Sequence, residues 1–350
     1  MFQPIQRAFM FLFMSIMMFS SCSEEEDLIV QKAEPIDYTT IPDVNFEEQL
    51  IAKGIDSDGI VNHLMLSKDA NEVTVLDLSF PEDADPDKRI IDLTGIEAFK
   101  NLITLSVPNN DLTSISLMAN TALETLDLNS NQLTTIDLSS NEALSYLDAG
   151  FNALEEIDLK TNINLKTLKL QLNYLKSIDV SNNPNLIELD LYFNELSSIT
   201  GLNVTKKLIT TNLSWNYLEE LAVNIPSLEG MNVEQNFLTT LNVNGCTSLK
   251  YMIATTNLIN TLDLSSNVAL QLLLVSANQI ENINLDNNVQ LELLWISSNQ
   301  LTNLDLSNLS MLYEISVGRN SQLNCIKIAS NQTIATVKKE EYQELSIDGC

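Results

Sequence analysis

Histidine is nearly absent from this 350-residue chain: His63 is the only one. A lone imidazole removes His-based acid–base pairs and imidazole metal clusters from the functional repertoire. Basic residues are scarce as well, 18 against 47 acidic ones, for a formal charge of −29. Phosphate backbones and anionic headgroups reward Lys and Arg, so this balance weighs against nucleic acid as a partner. No nucleophile stands beside a base in a recognisable motif, no paired carboxylates form one, and no phosphate loop occurs. Neither an enzyme nor a cofactor carrier is expected, and no metal site. Beyond residue 22 long apolar runs are missing too, which leaves no later segment to span a bilayer. What remains is 45% hydrophobic content, too much for an acidic disordered chain and enough for a packed core.

Arg7 is the only charge before Glu24, and Ala8 to Phe19 is apolar except for Ser15. That run is shorter than the roughly 20 residues a spanning helix needs, so residues 1–21 read as a signal peptide. Ser20 and Ser21 directly before Cys22 resemble the bacterial lipoprotein processing signal, although Phe19 stands where Leu is commoner. The resemblance implies that Cys22 becomes an acylated first residue, with ordinary secretion as the alternative. The acidic run Ser23 to Asp27 resembles the surface-export signal of some Gram-negative lipoproteins, which implies an outer-membrane lipoprotein displayed outward; a solvated linker facing the periplasm is the other reading. Residues 22–41 lack periodicity and form a flexible tether with a reach of roughly 25 Å.

Asparagine recurs with a fixed period. Asn110, Asn131, Asn152, Asn173 and Asn194 are 21 residues apart, Asn216 comes one residue late, and Asn236, Asn257, Asn278, Asn299 and Asn320 resume the frame. Around each the pattern is L-x-x-L-x-L-x-x-N-x-L, as at Leu123, Leu126, Leu128, Asn131 and Leu133. This pattern resembles the leucine-rich repeat. Period-2 spacing turns Leu126 and Leu128 to one side of a short strand, and only stacking against neighbouring units buries that side. An Asn amide offers donors and an acceptor where the chain turns inside the core, whereas Asp there brings an unpaired charge. Second apolar pairs at Ile136/Leu138, Ile157/Leu159, Ile178/Val180, Leu262/Leu264, Ile283/Leu285 and Leu304/Leu306 imply short outer strands in place of helices. The expected fold is a β-rich solenoid over residues 73–324: a parallel inner sheet of about twelve strands, roughly 55 Å long, with outer strands behind it. Pro81 to Arg89 is a loop inserted in the first repeat.

Open solenoid ends need covers. Over residues 42–72, Pro42 and Asp43 open an amphipathic run with Phe46, Leu50 and Ile51 that stops at Gly54, which predicts a helical N-terminal cap. The stretch IPDVNFEEQLIAKGIDSDGIVN resembles the cap of bacterial leucine-rich repeat surface proteins, some internalin-like. That resemblance implies a binding module presenting a concave sheet to another protein. Residues 325–350 read as a non-repeat C-terminal cap bracketed by Cys325 and Cys350, where a disulfide contributes about 3.5 kcal/mol by loop entropy. Cys246 falls at a second turn position held elsewhere by Asn141, Asn162, Asn183, Asn267 and Asn288, and reads as a buried structural thiol.

The Asn register also identifies the side chains that leave the inner sheet. Tyr251, Ile253, Leu272, Leu274, Leu293 and Trp295 then form one apolar patch on a face that is polar elsewhere, with about 500 Å² exposed and Trp295 as the expected hot spot. Mutual shielding or homodimerisation are the rival readings. A second cluster, Phe151, Leu172, Phe193 and Trp215 with Tyr192, lies beside Asp127, Asp148, Asp190, Asn212 and Asn232. Aromatics next to acids and amides suit sugar rings, and suit a buried edge cluster equally well. Asp83, Asp85 and Asp87 alternate like the start of a calcium loop, but Lys88 and Thr94 stand where Gly and Glu belong. Asp56, Asp58 and Asn62 around Gly59 are no better, and both runs read as solvated acidic turns. An outer column, Asp137, Asp158, Asp179, Asp263 and Asp305, stacks like charges that should repel, with water and salt as the expected relief. Three functions follow from these features: protein recognition or adhesion through the inner face, glycan capture at the aromatic cluster, or a structural role as spacer or homodimer.

Overall fold

In the strand Thr125–Asp127 the central Leu126 is buried and its neighbours are half-exposed, and this alternation recurs from coil to coil. The computed structural model describes residues 36–81, 83 and 85–347; the signal peptide, Cys22 and Cys350 lie outside the described residues. Thirteen three-residue strands, from Val75–Asp77 to Thr336–Lys338, form one parallel sheet that follows the sequence order. Its register is unbroken: Leu126 pairs with Leu147, and Leu273 with Leu294. Leucines such as Leu105, Leu128 and Leu133 lie wholly inside the core this stacking creates.

The asparagines bind one coil to the next. Asn131 Nδ2 donates to Val107 O at 2.9 Å and Leu128 O at 3.1 Å, while its Oδ1 accepts from Leu112 N at 3.0 Å. The pattern holds at the late rung, where Asn216 donates to Leu191 O and Leu213 O and accepts from Leu196 N. One residue gained before Asn216 is returned by a coil one residue short before Asn236, so the sheet keeps its register. A second column at the outer turn works through donors alone. Asn141 Nδ2 donates to Leu117 O at 3.1 Å and Asn120 O at 2.9 Å, but its Oδ1 is buried without a partner. Cys246 takes this position with its Sγ 3.5 Å from Val223 O, and burial pushes its thiol pKa up.

Outer strands are fewer than the apolar pairs imply. Ser177–Asp179 pairs with Ser198–Thr200, Glu220–Ala222 with Thr240–Asn242, and Cys325–Lys327 with both Leu304–Asp305 and Glu344–Ser346. The segments at Ile136/Leu138, Ile157/Leu159, Leu262/Leu264 and Ile283/Leu285 are not paired strands, although each second leucine is buried. A groove of about 480 Å³ lined by Thr135, Ile136, Glu156 and Ile157 lies along two of these unpaired outer segments.

Both ends depart from expectation. Tyr38–Thr40, assigned to the tether, is a strand paired antiparallel with Leu64–Leu66, and Ile41 after it is fully buried. The cap helix Val44–Ala52 begins at Asp43, whose Oδ1 accepts from Asn45 N and Phe46 N while Oδ2 accepts from Ile91 N and Asp92 N. One carboxylate thus caps the helix and fastens it to the first repeat. Residues 325–347 are not a non-repeat segment: they add Thr336–Lys338 to the inner sheet and two strands to the outer one. Cys325 is disulfide-bonded.

Asn173 uses both halves of its amide, accepting from Leu154 N and donating to Ala149 O and Leu170 O, whereas Asn162 only donates. Each buried polar group left unpaired costs about 1–3 kcal/mol. Urea unfolding of the chain carrying Cys22→Ser should therefore show a larger loss of stability for Asn173→Ala than for Asn162→Ala. Equal losses would mean that the acceptor half of the amide contributes nothing.

Candidate functional site

Eleven residues, one directly before each inner-ladder Asn, have positive φ between 53° and 59°. The chain turns there so that the following amide points into the core. Asn109 suits that conformation, because a short polar side chain tolerates the left-handed region; a bulky one stands where this conformation costs roughly 1–2 kcal/mol. Phe151, Leu172, Phe193 and Trp215 nevertheless occupy the position in consecutive coils.

Their rings are not buried. Phe151 is 48% exposed, Phe193 46% and Trp215 45%. Phe193 and Trp215 stack at 5.9 Å with their planes 28° apart, and Tyr192 lies 5.8 Å from Phe193. The exposure of these three rings does not fit the reading of a buried edge cluster. The cluster is also wider than the sequence reading made it. Tyr174, Tyr217 and Phe237, each directly after a ladder Asn, are exposed as well, with Tyr217 and Phe237 6.0 Å apart. The same 21-residue register reveals them once the position after Asn is read as well as the one before.

On the inner face, Tyr251, Leu272 and Leu293 occupy paired positions on adjacent strands, as do Ile253, Leu274 and Trp295. The structure brings these six together. Tyr251 is exposed and the other five are half-buried, so mutual shielding leaves less open area than the sequence estimate assumed. Trp295 is held in place: its Nε1 donates to Glu314 Oε1 at 3.1 Å, and Lys338 Nζ lies 4.9 Å from its ring centroid. Lys338 also pairs with Glu314 at 2.9 Å, which together with the Trp295 bond holds the Glu314 carboxyl below its ordinary range. Lys338 was overlooked because it lies in the segment read as non-repeat.

Nearer the N-terminus the same column runs Asp127, Asp148, Lys169, Asp190. Burial, more than neighbouring charge, raises the pKa values of Asp127 and Asp190. Lys169 pairs with Glu188 at 3.3 Å. Between the acidic and apolar halves, Gly230 leaves a hollow of about 240 Å³ bordered by Glu188, Asn232 and Tyr251.

The remaining acidic patterns have structural explanations. Each outer-column Asp accepts a hydrogen bond from the amide two residues on, as Asp137 does from Ser139 N at 2.9 Å and Asp263 from Ser265 N at 3.0 Å. Asp85 caps the short turn Pro86–Lys88 through Asp87 N. Among the described residues no group of three or more His, Cys, Asp and Glu is placed to hold a metal ion. In the cap, buried Glu47 accepts from Asn62 N and His63 N through one oxygen, leaving Oε2 without a hydrogen bond. Asp56 is also buried, with the Asp58 amide facing its carboxylate in poor hydrogen-bond geometry.

No known family profile matches the chain, and no curated protein matches it. Among solved structures, the functional domain of InlJ from Listeria monocytogenes, which includes a cysteine ladder, superposes with a TM-score of 0.74 at 24% identity, covering 89% of this chain and 73% of its own. The internalin InlF from the same species gives 0.70 at 20% identity, over 87% of this chain and 95% of that one. A leucine-rich repeat protein of Leptospira interrogans gives 0.59 at 22% identity, over 77% and 75%. The described chain is a leucine-rich repeat solenoid, similar in fold to internalin-type bacterial proteins. In place of a cysteine ladder it has Cys246 alone in its outer Asn column.

Burial, then the charge of Asp58, raises the pKa of Asp56. A carboxyl whose folded pKa exceeds its unfolded value opposes folding once ionised, and the penalty fades as pH falls through the folded pKa. Asp56→Asn should therefore raise the melting temperature at neutral pH, with a gain that shrinks on acidification. A lower melting temperature at pH 7 would show that the ionised carboxylate is stabilising.

Proposed function

We propose that this chain is an envelope-anchored binding module that recognises another protein through the C-terminal half of its inner sheet. The observation that carries the reading is the apolar patch itself: six apolar side chains in paired positions on three adjacent strands, on a face whose other strands present mainly polar and charged side chains, with Val75 and Tyr146 the exceptions. Trp295 at its edge is fixed by Glu314 and Lys338, so little side-chain freedom is lost on binding. The similarity in fold to internalin-type proteins supports a binding role. Anchoring follows from the resemblance of residues 1–27 to lipoprotein processing and surface-export signals, with Cys22 carrying the lipid at the outer membrane. Glycan capture at the aromatic cluster is the second reading: the stack of Phe193 on Trp215 occupies one face of each ring and leaves the other to solvent.

Surface proteins cross-linked to the wild-type chain on intact cells should be lost with Trp295→Asp, and Trp295→Ala should weaken a purified partner about 30-fold or more, as expected for a hot spot. Unchanged capture by both variants would overturn the reading. Light scattering on the Cys22→Ser chain supplies the other check: the expected result is a monomer, and a dimer dissociated by Trp295→Asp would assign the patch to self-association.

A further inference from the structure

We propose that the aromatic ridge along the inner Asn ladder is a second docking surface, suited to a polypeptide segment that presents apolar side chains flanked by Lys or Arg. The proposal rests on the binding-module reading but uses none of the residues of the inner-face patch.

Three observations converge on it. The first is area. Phe151, Phe193 and Trp215 precede ladder asparagines, and Tyr174, Tyr217 and Phe237 follow them; all six are about half exposed. At about 100 Å² each, the stacked pair Phe193/Trp215 and the neighbouring pair Tyr217/Phe237 present roughly 400 Å² of aromatic surface, within the range of the largest patches monomers display. The second is that the turn does not require the rings of Phe151, Phe193 and Trp215. Asn109, Ser130 and Ser298 make the same positive-φ turn in other coils, so the turn itself asks for a small polar residue. Rings at that position are disfavoured by the backbone and half exposed to water, a cost offset only in part by the contacts among Tyr192, Phe193 and Trp215. Strained positions of this kind concentrate at functional sites.

The third observation selects the occupant by charge. No Lys or Arg occurs from residue 208 to residue 249, the stretch that holds Trp215, Tyr217 and Phe237. Glu195, Glu219 and Glu234 lie within three residues of Phe193, Tyr217 and Phe237 in sequence, and none forms an ion pair with a described residue. Of the nearby lysines, Lys250 pairs with Glu229 at 2.9 Å, and Lys176, two residues from Tyr174, lies 3.9 Å from Glu155. An aromatic centre depleted of charge with an unneutralised acidic rim has the composition of an interface whose complement is basic at its edges. A second copy of this chain brings its own charge of −29 and is opposed by it.

The test is a fluorescence-anisotropy titration of the Cys22→Ser chain with a short labelled peptide alternating Leu and Lys, and with its twin carrying Glu in place of Lys, at about 0.15 M salt. The Lys peptide should bind and the Glu twin should not. The double variant Phe193→Asn/Trp215→Asn should bind the Lys peptide about tenfold or more weakly, while its melting temperature stays level or rises because Asn accepts the positive φ. Trp295→Asp should leave peptide binding intact, which separates this surface from the inner-face patch whether or not that patch has a partner. Equal binding of the Lys peptide by the double variant would reduce the effect to diffuse attraction by an acidic protein and overturn the proposal. Binding of the Glu twin, or loss of binding in Trp295→Asp alone, would overturn it as well.

Discussion

A buried primary amide holds this molecule together. At each inner turn an Asn side chain reaches back to a carbonyl of the preceding coil, satisfies carbonyls of its own turn and receives an N–H from the preceding coil. Strands of three residues have too few hydrogen bonds of their own to fix a register. The amide supplies what they lack, and it does so at a point where water is excluded and an unmatched polar group is costly. The positive-φ residue before it, the unbroken sheet and the alignment of exposed columns all follow from bringing that side chain inward.

The outer column shows what happens when the arrangement is half complete. There the amide donates twice and its oxygen goes unused at Asn120, Asn141, Asn162, Asn183, Asn267 and Asn288. With no N–H held from the neighbouring coil, the outer segments are tied less strictly, and they separate into grooves or pair according to local sequence. The interruptions at Thr205, Ile225, Cys246 and Leu309 fall in this column, where a lost amide removes donors only.

The inner sheet, its register and the membership of the apolar patch were legible because each depends on a 21-residue count that side-chain chemistry enforces. Outer pairing was not: Ile136/Leu138 and Ile178/Val180 look alike in sequence, yet only the second lies at a paired strand, since separation between coils is set by backbone the leucines do not control. The last coil was missed because Thr336–Lys338 has no inner-ladder Asn behind it; Gln343 reaches Val317 O in its place. The exposure of the aromatic ridge was equally hidden. Sequence gives the position of Phe193 and Trp215 relative to Asn194 and Asn216, but the direction of a side chain at positive φ follows from the backbone turn.

That turn also separates shape from identity. The same backbone angle is held by Asn, Ser, Phe, Leu, Trp, Gln, Thr, Ala and Arg in successive coils, because the amide one residue later imposes it. A position whose geometry is dictated by its neighbour is free to change its own chemistry without moving the scaffold. Each coil therefore works as a display slot of fixed orientation, and a lineage could exchange what the edge presents, one coil at a time, while inheriting the frame unchanged.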